Sequence, residues 1–170
     1  MHRISKLKFF ITTLNLVTKE TEECKIPSRI ALKSFHNKYL RVESNGRVKA
    51  KSEVVLAWEM FEVIEVNKAR NEIGLKMKLG GDGATKFVGS FHQGGWLYTT
   101  DKLQGWERFT VECLGENKIA LRSFHRKYIG ATPDGHLFGA DYGDDCSKQE
   151  GCTWYESKKY VNKKEDILSK

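Results

Sequence analysis

The sequence predicts an all-β chain built from three similar four-stranded units, and three observations predict it. The stretch "IALKSFHNKYL" from Ile30 is nearly rewritten as "IALRSFHRKYI" from Ile119. Trp58, Trp106 and Trp154 stand 48 residues apart, and the first two head the matching segments "WEMFEVIEV" and "WERFTVECL". From Ile30 to Trp154 short apolar segments are punctuated by glycine turns, and no segment carries a helical period.

Each unit opens on an entry strand: "IALKS" at Ile30, "IGLKM" at Ile73 and "IALRS" at Ile119. In "SFHNKYL", Phe35, Tyr39 and Leu40 alternate with short polar residues around a tight turn, so Tyr39 and Leu40 face inward on a second strand, as do Tyr128 and Ile129 in the other copy. A glycine turn then opens the third strand, in "SNGRVKA" at Ser44, "QGGWLYT" at Gln93 and "PDGHLFG" at Pro133. Asn45-Gly46 and Asp134-Gly135 are dipeptides that reach positive φ at little steric cost. The alternation in "RVKAKS" puts Arg47, Lys49 and Lys51 on one face and Val48 and Ala50 on the other. The Trp-headed segment is the fourth strand. Twelve short strands in three units predict a β-trefoil, a small closed barrel with a hairpin cap and no free edges. A symmetric fold needs the same packing residue in each unit, so the repeated Tyr39, Trp58, Phe61, Trp106, Phe109, Tyr128 and Trp154 read as core rather than as catalytic groups. His36 and His125, at equivalent places, read as turn residues bonded to backbone.

Residues 29–160 form the predicted trefoil, with an extension over 1–28 and a basic tail over 161–170. In the extension, Ile4, Leu7, Ile11 and Leu14 allow a short amphipathic helix. The same stretch is similar to a poor signal peptide, basic at its start and apolar from Phe9 to Val17, without a small-residue cleavage site. A non-cleaved extension is the expectation; a signal segment over 1–24 is the alternative.

Taken in order, Ala-Leu-Lys/Arg-Ser, Lys-Tyr-Leu/Ile, Asp/Asn-Gly-x-Val/Leu and Trp-Glu-x-Phe resemble the fascin-like (actin-crosslinking) β-trefoil family over about residues 29–160. "ALKSFHNKYL", "SNGRVKA" and "WEMF" match as they stand. The second unit departs in "IGLKMKLGGDGATKFVGS", and the third ends in "WYESKKY". The resemblance implies a module that binds or crosslinks actin filaments in the cytoplasm. It fixes framework residues and names no ligand surface. The lone "QGW" at Gln104 is similar to the Gln-x-Trp signature of ricin-type lectin trefoils, but the other units read "LAW" and "CTW".

Charge supplies the candidate surface. The chain carries 29 Lys+Arg against 22 Asp+Glu, a formal +7, which favours acidic partners. Between Lys33 and Lys51 lie Lys33, Lys38, Arg41, Arg47, Lys49 and Lys51 against the single acid Glu43. Lys158 and Lys159, followed by Lys163 and Lys164, extend this patch if the two ends of the domain meet. The expected partner is the actin filament. An anionic glycan is the alternative, bound by a secreted lectin-like or heparin-binding trefoil; nucleic acid is not the expected partner, and no apolar run reaches the roughly 18 residues of a membrane span. Cys24, Cys113, Cys146 and Cys152 are too scattered for a disulfide framework, so a reduced protein is the simpler reading, with a loop disulfide between Cys146 and Cys152 if the chain is exported. No cofactor, metal or enzymatic activity is expected. Asp141, Asp144 and Asp145 lack the spacing of a calcium loop, Ser34 and Ser123 lack a nucleophile elbow, and "GGDGATKF" lacks the ending of a phosphate loop.

Overall fold

The computed structural model describes residues 25–79, 83–91, 96–115, 117–141 and 152–156. Within them the chain is all-β and its strands pair antiparallel. The strands are β1 (Arg29–Ile30), β2 (Leu32–Ser34), β3 (Tyr39–Val42), β4 (Val48–Ser52), β5 (Phe61–Asn67), β6 (Glu72–Leu79) and β7 (Ala84–Ser90), then β8 (Leu97–Thr100), β9 (Arg108–Gly115), β10 (Lys118–Ser123), β11 (Tyr128–Ala131), β12 (Leu137–Ala140) and β13 (Trp154–Glu156). Ala31 alone separates β1 from β2, so the two act as one interrupted entry strand. Counted that way the predicted order recurs three times: β1/β2 to β5, β6 to β9, and β10 to β13. The predicted extension up to residue 24 and the tail over 161–170 lie outside the described residues.

Pairing runs from β1 through β5, β6, β9, β10 and β13 to β2. Since β2 resumes one residue after β1, this path begins and ends on the same stretch of chain. Three hairpins hang from it, β3–β4, β7–β8 and β11–β12, attached to β2, β6 and β10 respectively.

The near-identical eleven residues are explained by a turn. The Ser34 N–H donates to the Lys38 carbonyl at 2.8 Å, the Asn37 N–H donates to the Ser34 carbonyl at 3.0 Å, and the Ser34 hydroxyl accepts from the Lys38 N–H at 3.3 Å. Ser123, Arg126 and Lys127 repeat these bonds at 2.8, 2.9 and 3.3 Å. The fourth residue of each turn is left-handed, with φ 62° at both Asn37 and Arg126. The glycine turns close the same way, Glu43 with Arg47 and Thr132 with His136, and put Gly46 at φ 80° and Gly135 at φ 87°, where a side chain is strained. Ser34 and Ser123 are therefore buried turn caps.

Ladder register corrects the predicted core. Phe61 pairs with Ile30 and Phe109 with Ile73, whereas Trp154 pairs with Ile119. Trp154 thus stands where Phe61 and Phe109 stand, three positions along from the sites of Trp58 and Trp106. Its ring is fully buried and its Nε1–H donates to the Ile129 carbonyl at 2.8 Å. Trp58 is half-buried and Trp106 is 44% exposed, so neither belongs to the core. Tyr39 is half-buried too, with the Lys33 ammonium 5.7 Å above its ring, while Tyr128 is buried and donates its hydroxyl to Glu112 at 2.9 Å. The interior repeats by register: Leu32, Leu75 and Leu121 form one set, and Leu40, Val88 and Ile129 a second.

Trp154→Ala is expected to lower the unfolding free energy by about 3–5 kcal/mol, the cost of emptying a large buried site. Trp106→Ala should change it by about 0.5 kcal/mol or less, as at other exposed positions. Urea denaturation measures both, and equal losses would restore the equivalence of the three tryptophans.

Candidate functional site

The patch predicted between Lys33 and Lys51 exists, and three of its six cations are answered by acids. Lys38 pairs with Glu53, Lys51 pairs with Glu43, and the Arg41 guanidinium lies 3.2 Å from Glu59 and 5.8 Å over the Trp58 ring. The hydrogen bond from Lys51 holds the Glu43 carboxyl below its usual range against the opposing effect of burial, and the charges of Lys51, Lys49 and Arg47 add to it. Lys33, Arg47 and Lys49 have no ion-pair partner among the described residues. A cavity of 360 Å³ lies here, lined by Arg41, Glu43, Ser44, Lys51 and Trp58. Lys158, Lys159, Lys163 and Lys164 lie outside the described residues.

Beneath this surface the three units fill one slot in three ways. In the Trp-Glu pairs, Glu59 and Glu107 are buried, and each caps its own turn by accepting the N–H three residues earlier, from Leu56 and from Gln104, both at 2.9 Å. Register puts Cys152 at the corresponding place of the third unit, also buried. Arg41 answers Glu59 in the first unit. Glycine replaces that arginine in the other two, Gly89 opposite Tyr98 and Gly130 opposite Phe138, as Arg41 stands opposite Lys49. The glycines make room for rings: a Cβ on Gly89 would lie 2.8 Å from Glu107 Oε1 and 2.9 Å from Tyr98, and one on Gly130 would lie 2.4 Å from Phe138. Tyr98 donates its hydroxyl to Glu107 at 3.2 Å, and Phe138 packs against the cluster that holds Cys152.

A second cationic surface, which local charge counting missed, lies between the second and third units. Arg70, Arg108, Arg122 and Arg126 line a cleft of 610 Å³ with Glu72, Thr110, Ser123 and Phe124. Pairing brings them together: Glu72 and Arg122 both stand opposite Thr110, so β6, β9 and β10 present them in one row. Arg108 lies two residues before Thr110 and shares its face of β9. Arg126 enters from the left-handed position of the repeated turn, and Arg70 from a 3₁₀ turn ahead of β6. Arg70 lies 3.9 Å from Glu72 and Arg122 lies 3.4 Å from Glu112. Arg108 and Arg126 are exposed and make no ion pair among the described residues. Planar guanidinium groups converging on one cleft suit a phosphate, sulfate or carboxylate ligand, each offering paired N–H donors. The pattern was partly legible, because alternation in "WERFTVEC" and "IALRS" puts Arg108 and Arg122 on outward faces; Arg70 and Arg126 gave no such signal.

The other candidates fall into place around these surfaces. His36 and His125 each meet the preceding phenylalanine edge-on at 5.5 Å, and His125 also meets Trp106 at 5.0 Å. Asp141 pairs with Lys127 at 2.6 Å, while Asp144 and Asp145 lie outside the described residues. Among the described residues no group of three or more His, Cys, Asp or Glu is placed to hold a metal ion, and no helix is long and apolar enough to cross a membrane. Cys113 and Cys152 are both disulfide-bonded, which corrects the expectation of a reduced protein; Cys24 and Cys146 lie outside the described residues. No family model matches the chain, and no curated protein matches it.

Two substitutions test the slots. Gly130→Ala should cost about 1–3 kcal/mol through the clash with Phe138, read from denaturation midpoints. Tyr98 carries a pH signature: burial, then the charge of Glu107, then the hydrogen bond to it push the phenol up to about 12. An unfolded tyrosine titrates near pH 10. The stability gained from the neutral phenol is therefore fully present below about pH 10 and lost as pH rises through about 12. The stability difference between the natural chain and Tyr98→Phe should stay constant up to about pH 10 and change above it; a difference flat to pH 12 contradicts the assignment.

Proposed function

We propose that this chain is a secreted, non-enzymatic β-trefoil domain that binds an anionic glycan through its arginine cleft. The trefoil reading is supported by the thrice-repeated strand order, by the pairing path that returns to its own start, and by the interior sets related by register. The observation that carries the ligand class is the convergence of Arg70, Arg108, Arg122 and Arg126, two of them without an acidic partner among the described residues.

The resemblance to fascin-like trefoils favours actin filaments, and the net charge allows either partner. What separates the two is the compartment. Disulfides persist in oxidising surroundings and are rare in the cytosol, so the bonded Cys113 and Cys152 favour a partner found outside the cell. Sulfated and carboxylated glycans are such partners.

Binding of the oxidised, purified chain to a heparin octasaccharide, followed by calorimetry at two salt concentrations, tests the reading. Affinity should fall with salt, as screened charge contacts do. The double substitution Arg108→Glu, Arg126→Glu should weaken it by about tenfold or more, since hydrogen bonds to charged groups contribute about 1.5–3 kcal/mol each. Arg47→Glu with Lys49→Glu should leave it nearly unchanged. Salt-sensitive co-sedimentation with actin filaments, in the absence of heparin binding, would overturn the proposal in favour of the filament.

A further inference from the structure

Exposed aromatic rings gather beside the arginine cleft. Phe91, Trp96, Trp106 and Phe124 are all more than 40% exposed, with Trp96 at 69%. Backbone bonds draw their segments together: the Phe91 N–H donates to the Trp96 carbonyl at 2.9 Å and the Ser90 N–H to the Trp106 carbonyl at 3.0 Å. Phe91 lies 4.6 Å from the Tyr98 ring, Trp106 lies 5.0 Å from His125, and His125 lies 5.5 Å from Phe124. Phe124 in turn rests over Gly105, where a Cβ would be 3.4 Å from its ring, and it lines the cleft with the arginines. Phe124, His125 and Trp106 therefore form a ledge of rings beside the cleft, and the backbone bonds of Ser90 and Phe91 bring Phe91 and Trp96 near it.

The fold itself puts these rings outside. Glu107 takes the buried place in its Trp-Glu pair, so the neighbouring Trp106 is turned to solvent, and the repeated Ser123-to-Lys127 turn does the same for Phe124. A contiguous exposed apolar patch rimmed by charge marks a contact surface. Its occupant must offer flat apolar faces and anionic groups on one chain. A pyranose ring offers an apolar face to an aromatic side chain while its sulfate or carboxylate reaches an arginine. Single-stranded nucleic acid offers stacked bases and phosphates in the same way. The disulfides favour the extracellular polyanion.

We infer that the ledge of Phe124, Trp106, Phe91 and Trp96 is the second half of the binding site and stacks the sugar rings of a sulfated or uronate-bearing polysaccharide whose anionic groups occupy the arginine cleft. This rests on the glycan reading of the cleft and adds the chemistry of the sugar rings to it.

The test compares Trp106→Ala, Phe124→Ala and Trp96→Ala with the Arg108→Glu, Arg126→Glu variant, using heparin octasaccharide and an oligothymidylate of similar charge. All three ring positions are exposed, and unchanged thermal midpoints check that the variants fold. The Trp106 and Phe124 substitutions should each weaken octasaccharide binding about tenfold without changing its dependence on salt, whereas the arginine variant flattens that dependence. Octasaccharide binding should also quench tryptophan fluorescence, and quenching should diminish in Trp106→Ala and Trp96→Ala. Loss of binding in the arginine variant alone would overturn the ledge and leave the cleft standing. Absence of octasaccharide binding by the natural chain overturns both. Ring-dependent binding of the oligothymidylate in preference to the octasaccharide would also overturn the inference, and would assign the ledge to nucleic-acid bases.

Discussion

The pairing of β13 with β2, Trp154 opposite Ser34 and Tyr155 opposite Lys33, joins the third unit to the strand with which the first begins. A segment of three residues holds β10 on one side and β2 on the other, so the backbone donors and acceptors of both entry strands are answered through it. Short strands contribute few hydrogen bonds, and the Trp154 ring compensates: it buries the largest side chain of the interior and anchors itself to the Ile129 carbonyl of the neighbouring hairpin. The registers of all three units, and with them the relative placement of their surfaces, depend on that junction.

With the frame fixed, the units diverge in how they fill equivalent places. One slot holds a carboxylate with an arginine, the next a carboxylate with a tyrosine, and the third a disulfide-bonded cysteine beside a phenylalanine. Each solution obeys the same rule, that a buried polar atom must be bonded and a buried volume must be filled. Gly89 and Gly130 leave room for the Tyr98 and Phe138 rings at the place that the Arg41 side chain fills in the first unit. The surfaces differ accordingly, since the first unit presents lysines of which Lys38 and Lys51 meet acids, while the second and third present the arginine cleft and the exposed Trp106 and Phe124.

The proposed binding of an anionic ligand rests on where the cations lie. In the densest run of cations in the sequence, Lys38, Arg41 and Lys51 are paired with Glu53, Glu59 and Glu43, and the more exposed Lys38 and Lys51 pairs add little to stability. In the cleft, Arg70 and Arg122 meet Glu72 and Glu112, while Arg108 and Arg126 make no ion pair among the described residues. A cleft of guanidinium groups beside exposed rings offers paired N–H donors next to a flat apolar surface, and the proposed site therefore depends on the packing of both units.

The sequence by itself determined the strand order, the turns and much of the interior, since all three are written in local patterns. The Ser-Phe-His-x-Lys turns, the glycines at Gly46 and Gly135, and the inward Leu40 and Ile129 need only short-range sterics and alternation. It rightly put Trp154 in the core but aligned it with Trp58 and Trp106, because spacing along the chain carries no information about ladder register; register puts Trp154 with Phe61 and Phe109 and leaves Trp58 and Trp106 outside the core. It also counted charge without its partners. Which lysines are neutralised, which arginines converge and which rings stay outside are decided by strands that lie side by side but far apart in sequence, and only the tertiary structure brings those together.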